Sequence, residues 1–188
     1  MKKYNIKIEG ITPLVWNRLK KDLMDLQKSL KKDELEENEL TNWEMKAEIS
    51  NGHAIIHNEW IIGCLVNSAK ELRIIPWFAT SKKQTYTKYI SNIRINPGKP
   101  IVAGKSSDLK RKDAYLSSQG KSKMGGKVLR CHPMLETWKA EFSLIDTIGR
   151  MKIAELKELF AWASQAVGIG DQRIFNFGRF DVKEIKEA

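Results

Sequence analysis

The segment VGIGDQRIFNFGRFDV, residues 167–182, combines glycines with arginines, two residue types that suit a phosphate ligand. Gly168, Gly170 and Gly178 could leave backbone N–H groups open, and Arg173 and Arg179 offer fork-shaped donors. The spacing fits neither a P-loop nor a dinucleotide fingerprint. A purely structural alternative remains, in which these glycines end a helix, ease a turn and ease entry into a strand.

A second basic segment precedes this loop. Between residues 105 and 130, eight Lys or Arg residues stand against two Asp residues, among many Gly and Ser residues. Such a composition cannot bury enough apolar surface to order itself, so we expect a mobile basic loop over 104–128. Its cations would contact phosphates and make binding salt-dependent. The predicted contacts are Lys105, Lys110, Arg111, Lys112, Lys121, Lys123, Lys127 and Arg130.

Three further side chains complete the candidate site. Trp16 and Tyr115 are candidates for stacking on unpaired bases, although Trp16 could instead belong to the core. His132 lies beside the basic segment and is predicted to contact nucleic acid. The alternative for His132 is catalysis, as the acid or base of a metal-independent endoribonuclease.

The remaining chemistry-bearing residues form no familiar set. Cys131 and His132 are adjacent, but no second pair has zinc-ligand spacing, so we predict neither a metal nor a cofactor. Cys64 and Cys131 indicate no disulfide framework, which favours the cytoplasm. The sequence has no signal-peptide pattern and no apolar run long enough for a membrane span.

Length and charge agree with one basic domain. The chain has 188 residues and a net charge of +10, which favours nucleic acid as the partner and an anionic membrane surface second. We predict nucleic acid and no membrane. We therefore predict a single nucleic-acid-binding domain over residues 1–188.

The elements that must position these residues follow from periodicity. Residues 3–11 alternate as a half-buried strand, and 46–57 form a hairpin around Asn51-Gly52. Helical spacing follows Asn58 and recurs over 152–167, where Gly168 is the expected cap. Without insertions the order is βαββαβ. This order predicts an α+β, ferredoxin-like fold, an antiparallel sheet with helices on one face.

A helical insertion is predicted over residues 19–45. Leu19, Leu23, Leu26 and Leu30 share one helical stripe, and the acidic run DELEENE, residues 33–39, follows. The insertion either lies on the domain or serves as a partner-binding or self-association arm.

Two terminal motifs resemble a known family. The stretch GIGDQRIFNFG, residues 168–178, is similar to the C-terminal glycine-rich loop of the RAMP superfamily, the ferredoxin-like RNA-binding subunits of CRISPR effector complexes. The opening IKIEGITPLVWNR, residues 6–18, resembles the first strand and turn of their crRNA backbone subunits, and the combination is also like small phage proteins. The resemblance implies that Gly168, Gly170, Arg173, Gly178 and Arg179 lie near a nucleic-acid path, with a basic hairpin at 105–130.

Together these features predict non-catalytic binding of single-stranded nucleic acid, RNA ahead of DNA. The resemblance adds other copies of the chain along a strand, or a ribonucleoprotein complex, as partners. Two alternatives stay open: the endoribonuclease using His132, and a protein-interaction module that mimics or inhibits a RAMP-containing complex through residues 19–40.

Overall fold

The computed structural model describes residues 1–17, 25, 29–72, 93–95, 99–117 and 127–188 of the chain. Within these ranges the chain forms an α+β structure of antiparallel sheets and three helices. The strands are β1 (Lys2–Gly10), β2 (Leu14–Val15), β3 (Ile49–Ser50), β4 (His53–Ile56), β5 (Ile93–Ile95), β6 (Ile101–Lys105), β7 (Lys110–Ser117), β8 (Lys127–Leu135), β9 (Lys139–Asp146) and β10 (Phe180–Glu187). The helices are α1 (Lys32–Thr41), α2 (Asn58–Leu72) and α3 (Ile153–Trp162).

A four-stranded sheet forms the centre of the molecule. Its strand order is β10-β1-β9-β5, and every neighbouring pair is antiparallel. Tyr4, Ile6 and Ile8 of β1 are buried and the residues between them are exposed, which confirms the predicted alternation. The sheet therefore has one face in the core and one face open to solvent.

Helices α2 and α3 contribute to the core of this sheet. They contact each other, α2 contacts β5, and α3 contacts β10. Phe160 of α3 meets Phe142 of β9 with ring centroids 6.2 Å apart. The Tyr4 hydroxyl donates to the Met151 carbonyl oxygen at 2.7 Å, so the chain just before α3 is joined to β1.

The end of α3 follows the sequence prediction closely. After Trp162 the chain makes one wider, π-helical turn over Ala163–Val167. Gly168 then takes a φ of 72° and ends the helical segment, and its amide donates to the Ala163 carbonyl oxygen at 2.8 Å. A positive φ favours glycine here because it has no Cβ.

The predicted hairpin near residue 50 is also present. Strands β3 and β4 pair, and Asn51 and Gly52 both adopt positive φ, as the tight turn requires. Strand β4 pairs in turn with β6, forming a small second sheet.

Within the predicted mobile loop over 104–128, residues 110–117 and the residues from 127 onward form paired strands. Strand β7 pairs with β8 from Lys110–Met134 to Ser117–Lys127, and β8 also pairs with β2. We call β7 and β8 the basic hairpin. The backbone N–H and C=O groups of paired strands bond to each other, so a polar composition does not prevent this segment from forming strands. Residues 118–126, with Lys121 and Lys123, lie outside the described residues.

The predicted insertion over 19–45 is helical where it is described. Helix α1 covers the acidic run and contacts β8. Leu19, Leu23 and Leu26 lie outside the described residues, so the predicted leucine stripe stays a prediction.

The two terminal motifs form one junction. Gly178 donates to the Pro13 carbonyl oxygen at 2.8 Å, and Asp171 donates its amide to the Val15 carbonyl oxygen at 3.0 Å. Arg179 accepts from the amides of Ile11 and Thr12 through its carbonyl oxygen. The glycine loop, residues 168–178, is therefore bound along its length to residues 11–15.

Gly178 is the tightest point of this junction. It has a φ of 71°, and a Cβ there would overlap the carbonyl oxygen of Ile169. We predict that Gly178→Ala lowers the free energy of unfolding by about 3 kcal/mol, measured by urea denaturation. The matched control is Gly63→Ala in α2, where a Cβ meets nothing within 4 Å. This control should raise the stability by about 1 kcal/mol. Equal stability of Gly178→Ala and the parent would show that the junction is not tightly packed.

Candidate nucleic-acid interface

Several backbone N–H groups of the glycine loop are hydrogen-bonded within the protein rather than left open to a ligand. The amide of Gly168 donates to Ala163, that of Ile169 to the Gly178 carbonyl oxygen, and that of Gly178 to Pro13. Gly168, Gly170 and Gly178 are buried, and all three have positive φ. The structural alternative is therefore correct for the amides of Gly168 and Gly178, because both already donate hydrogen bonds to acceptors within the protein.

The basic hairpin reaches the glycine loop through one side chain. Lys112 of β7 donates to the Gln172 side-chain oxygen at 3.0 Å. Its Nζ also lies 4.9 Å from the centroid of the Phe177 ring, within range of a cation–π interaction. Nearby in sequence, Phe175 exposes 62% of its surface. The structure thus brings a cation, a half-buried aromatic ring and an exposed one to neighbouring positions.

Other cations of the hairpin are exposed but paired with exposed carboxylates. Lys110 bonds to Glu136 at 2.6 Å, and Arg111 to Asp113 at 2.9 Å. Exposed ion pairs of this kind contribute little stability, so a phosphate can displace the carboxylate at low cost. Lys105 is exposed at the end of β6. The side chains of Tyr115 and Lys127 lie outside what the structure describes.

Arg130 belongs to a buried ionic cluster rather than to the open surface. Its Nη1 is 2.9 Å from Oε1 of Glu39, whose carboxylate is fully buried. The other carboxylate oxygen of Glu39 accepts from Lys46 and from the Cys131 amide, and Lys46 also donates to the Cys131 carbonyl oxygen. The cluster joins α1 and the turn after it to β8.

Glu39 is buried, whereas Glu34 and Glu37 of the same acidic run are exposed. Burial by itself raises the pKa of Glu39, but the hydrogen bonds from Lys46 and Cys131 and the Lys46 charge outweigh it and lower the pKa. Little in the sequence indicated this burial. Glu39 is one of five carboxylates in the acidic run, and it stands seven residues before Lys46, which is also buried.

Two predicted contacts are inside the protein. Trp16 is fully buried and its indole nitrogen donates to the Ile55 carbonyl oxygen at 2.9 Å, so the core alternative for this residue is correct. His132 is 1% exposed. Neither side chain reaches a strand bound at the surface, so both assignments as contacts are corrected. The same burial keeps His132 from a scissile phosphate.

The environment of His132 holds it neutral. Burial, followed by the charges of Lys46 and Lys112, lowers the pKa of His132 to about 4. An imidazole with this pKa is uncharged near neutral pH and adds no cation to the surface.

Arg173 and Arg179 lie on the helix side of the glycine loop. Both are half-buried, and both line one cleft beside α2 and the end of α3. Arg179 Nε donates to the Asn176 side-chain oxygen at 3.0 Å, which orients its guanidinium group. Trp162 lines the same cleft and is 41% exposed. Trp162 was not among the predicted site residues, because no motif or charge pattern marks its position on α3.

Metal-ligating residues do not gather in the part of the chain that the structure describes. No group of three or more His, Cys, Asp or Glu residues there could hold an ion. Asp171, which flanks the loop, is half-buried and accepts from the Asn17 amide at 2.7 Å. Among the same residues, no helix combines the length and apolar character that a membrane crossing needs.

Comparison with solved structures gives a match over almost the whole chain. One matched protein is a chain in the cryo-EM structure of the Type III-B Cmr-beta bound to cognate target RNA, with a TM-score of 0.52 and 11% sequence identity. The chain shares its fold with that protein. The alignment covers 99% of this chain and 60% of the other, so this chain spans less than two thirds of that protein's length. No protein-family model and no curated protein matches the sequence.

The buried, neutral His132 predicts a specific pH dependence. Its folded pKa, about 4, is below the ordinary value of 6.5, so the unfolded state binds the proton first as the pH falls. The stability is therefore complete above about pH 6.5 and falls by about 3 kcal/mol as the pH approaches 4. We expect His132→Leu to remove that part of the slope in urea denaturation at a series of pH values. His53→Gln, at the surface hairpin, is the control. An unchanged slope in His132→Leu would contradict a buried neutral imidazole.

Proposed function

We propose that this chain binds single-stranded nucleic acid, RNA in preference to DNA, without cleaving it. The observation that supports this most strongly is the contact of Lys112 with Gln172 and Phe177, which joins the basic hairpin to the glycine loop. A strand that follows the hairpin would meet cations and then an exposed aromatic ring, Phe175. This combination is typical of proteins that bind unpaired bases.

The fold that we propose for this purpose is ferredoxin-like. The order β10-β1-β9-β5 places the last strand beside the first, with antiparallel neighbours throughout. The helices α2 and α3, which follow β1 and β9 in sequence, contact strands of the same sheet. This arrangement corresponds to the βαββαβ order and supports the resemblance of the terminal motifs to the RAMP superfamily.

The phosphate contacts in this proposal come from the cations of the basic hairpin and from Lys105 at the end of β6. The described members are Lys105, Lys110, Arg111 and the half-buried Lys112. Lys121, Lys123 and Lys127 stay as proposed phosphate contacts, and Tyr115 stays as a proposed stacking residue. Arg130 takes a different role, because its guanidinium group is bonded to the buried Glu39. We propose that Arg130 fixes the hairpin in place and contributes little to strand binding.

The RNA preference rests on the match in fold. The protein that this chain resembles is in a structure with bound target RNA. We propose that this chain also binds RNA, alone, with further copies of itself along a strand, or within a ribonucleoprotein complex. A strand gripped mainly through its phosphates would be bound with modest base specificity.

The test is fluorescence anisotropy with labelled single-stranded RNA, single-stranded DNA and duplex over a salt series. We expect single-strand binding with a steep negative salt slope, RNA tightest. Lys112→Gln should weaken binding and reduce the slope by about 0.7, the value of one phosphate contact on a single strand. The matched control is Lys183→Gln, a similar charge loss at an exposed lysine of β10.

Three results would count against the proposal. The absence of binding at low salt would remove it. Equal effects of Lys112→Gln and Lys183→Gln would show that binding depends on net charge rather than on the hairpin. Shortened RNA after incubation with the purified chain would contradict the non-cleaving function.

A further inference from the structure

A cleft on the helix side of the glycine loop has no role in the strand path described so far. It has a volume of about 460 Å³ and lies where α2, the end of α3 and the loop meet. Its walls combine two cations, an aromatic ring, an amide and a carboxylate. The residues concerned are Asn67, Glu71, Trp162, Val167, Arg173 and Arg179.

The two arginines line the same cleft. Arg173 and Arg179 share its wall with Asn67 and Glu71 of α2. Neither arginine pairs with a carboxylate among the described residues. Arg179 donates through Nε to Asn176, and its Nη1 is buried without a hydrogen-bond partner.

Two guanidinium groups that line one cleft and pair with no described carboxylate are suited to a phosphate. Each group has a planar set of donors that matches two oxygens of a phosphate or carboxylate, and partial burial strengthens such hydrogen bonds. Buried donors in folded proteins are nearly always hydrogen-bonded, so the unsatisfied Nη1 shows that the described residues do not fill the hydrogen-bonding capacity of the Arg179 guanidinium group.

The aromatic wall of the cleft narrows the class of anionic ligand further. Trp162 is 41% exposed, and the half-buried Val167 extends the apolar part of the wall. An exposed indole face beside two arginines favours a ligand that carries a flat ring next to its phosphate, because bases stack on tryptophan. Glu71 can accept a hydrogen bond from a hydroxyl or amino group, and its charge disfavours a second phosphate nearby.

We propose that this cleft binds one nucleotide of the strand, with the phosphate between Arg173 and Arg179 and the base on the indole of Trp162. The inference rests on the proposed function and adds a second contact region, lined by residues of α2, α3 and the loop rather than by the basic hairpin. Trp162 and Asn67 are new binding residues in this account.

The test compares variants of the cleft in the same RNA anisotropy assay. Trp162→Ala should weaken RNA binding by about 5- to 100-fold and leave the salt slope unchanged, because stacking involves no counterion release. Trp162→Phe should restore most of the affinity. Arg173→Gln should reduce the salt slope by about 0.7. Met45→Ala, which removes an exposed apolar side chain elsewhere, is the control and should bind as the parent does.

The outcomes separate this inference from the proposed function. If the parent binds RNA and Trp162→Ala binds equally well, the cleft is not a nucleotide site and the proposed function stands. If the parent binds no strand, the proposed function fails and the cleft is tested alone. Uridine 5′-monophosphate is then titrated to about 10 mM while the indole NH signal of Trp162 is followed by NMR, assigned with Trp162→Phe. A shift supports the cleft, and a constant signal overturns it.

Discussion

The close approach of two backbone segments at Gly178 and Ile169 is the constraint on which the rest of the structure depends. No side chain fits between them, and the same loop is hydrogen-bonded to residues 11–15 near the other end of the chain. Because β1 leads into that segment and β10 follows the loop, the junction fixes the first and last strands of the central sheet beside each other. It also fixes the loop residues that face the basic hairpin and the cleft.

A second constraint, the buried cluster around Glu39, holds the hairpin. A buried carboxylate is costly unless several donors satisfy it, and here Lys46, Arg130 and the Cys131 amide do so. Removing one partner would leave an uncompensated charge in the interior, so the cluster requires α1 and β8 to keep one relative position. The acidic helix thus has a structural role on the domain, whatever else it contacts.

Local patterns predicted the parts of the fold that depend on neighbours in sequence. The alternation of Tyr4, Ile6 and Ile8, the Asn51-Gly52 turn and the cap at Gly168 all have short-range physical causes, and all are present. The polar composition of β7 predicted a loop, because the order of this strand comes from pairing with β8 and not from its own residues. The burial of Glu39, Trp16 and His132 depends on contacts between distant segments, which a single sequence does not show.

The central sheet offers a competing surface for a strand. Its open face carries Lys3, Lys7, Lys99 and Lys186 around a groove, and Glu141 and Glu184 line the same groove within 4 Å of Lys7. Carboxylates therefore partly compensate the lysines there, as they do on the hairpin, but the glycine loop adds the exposed ring of Phe175 to the hairpin cations. We place the strand at the hairpin and loop for this reason.

The most direct measurement is photo-crosslinking of 4-thiouridine RNA to the full chain, with the crosslinked peptides mapped by mass spectrometry. We expect crosslinks in residues 110–117 and 172–179. Crosslinks confined to β1 and β9, on the open face of the sheet, would contradict it.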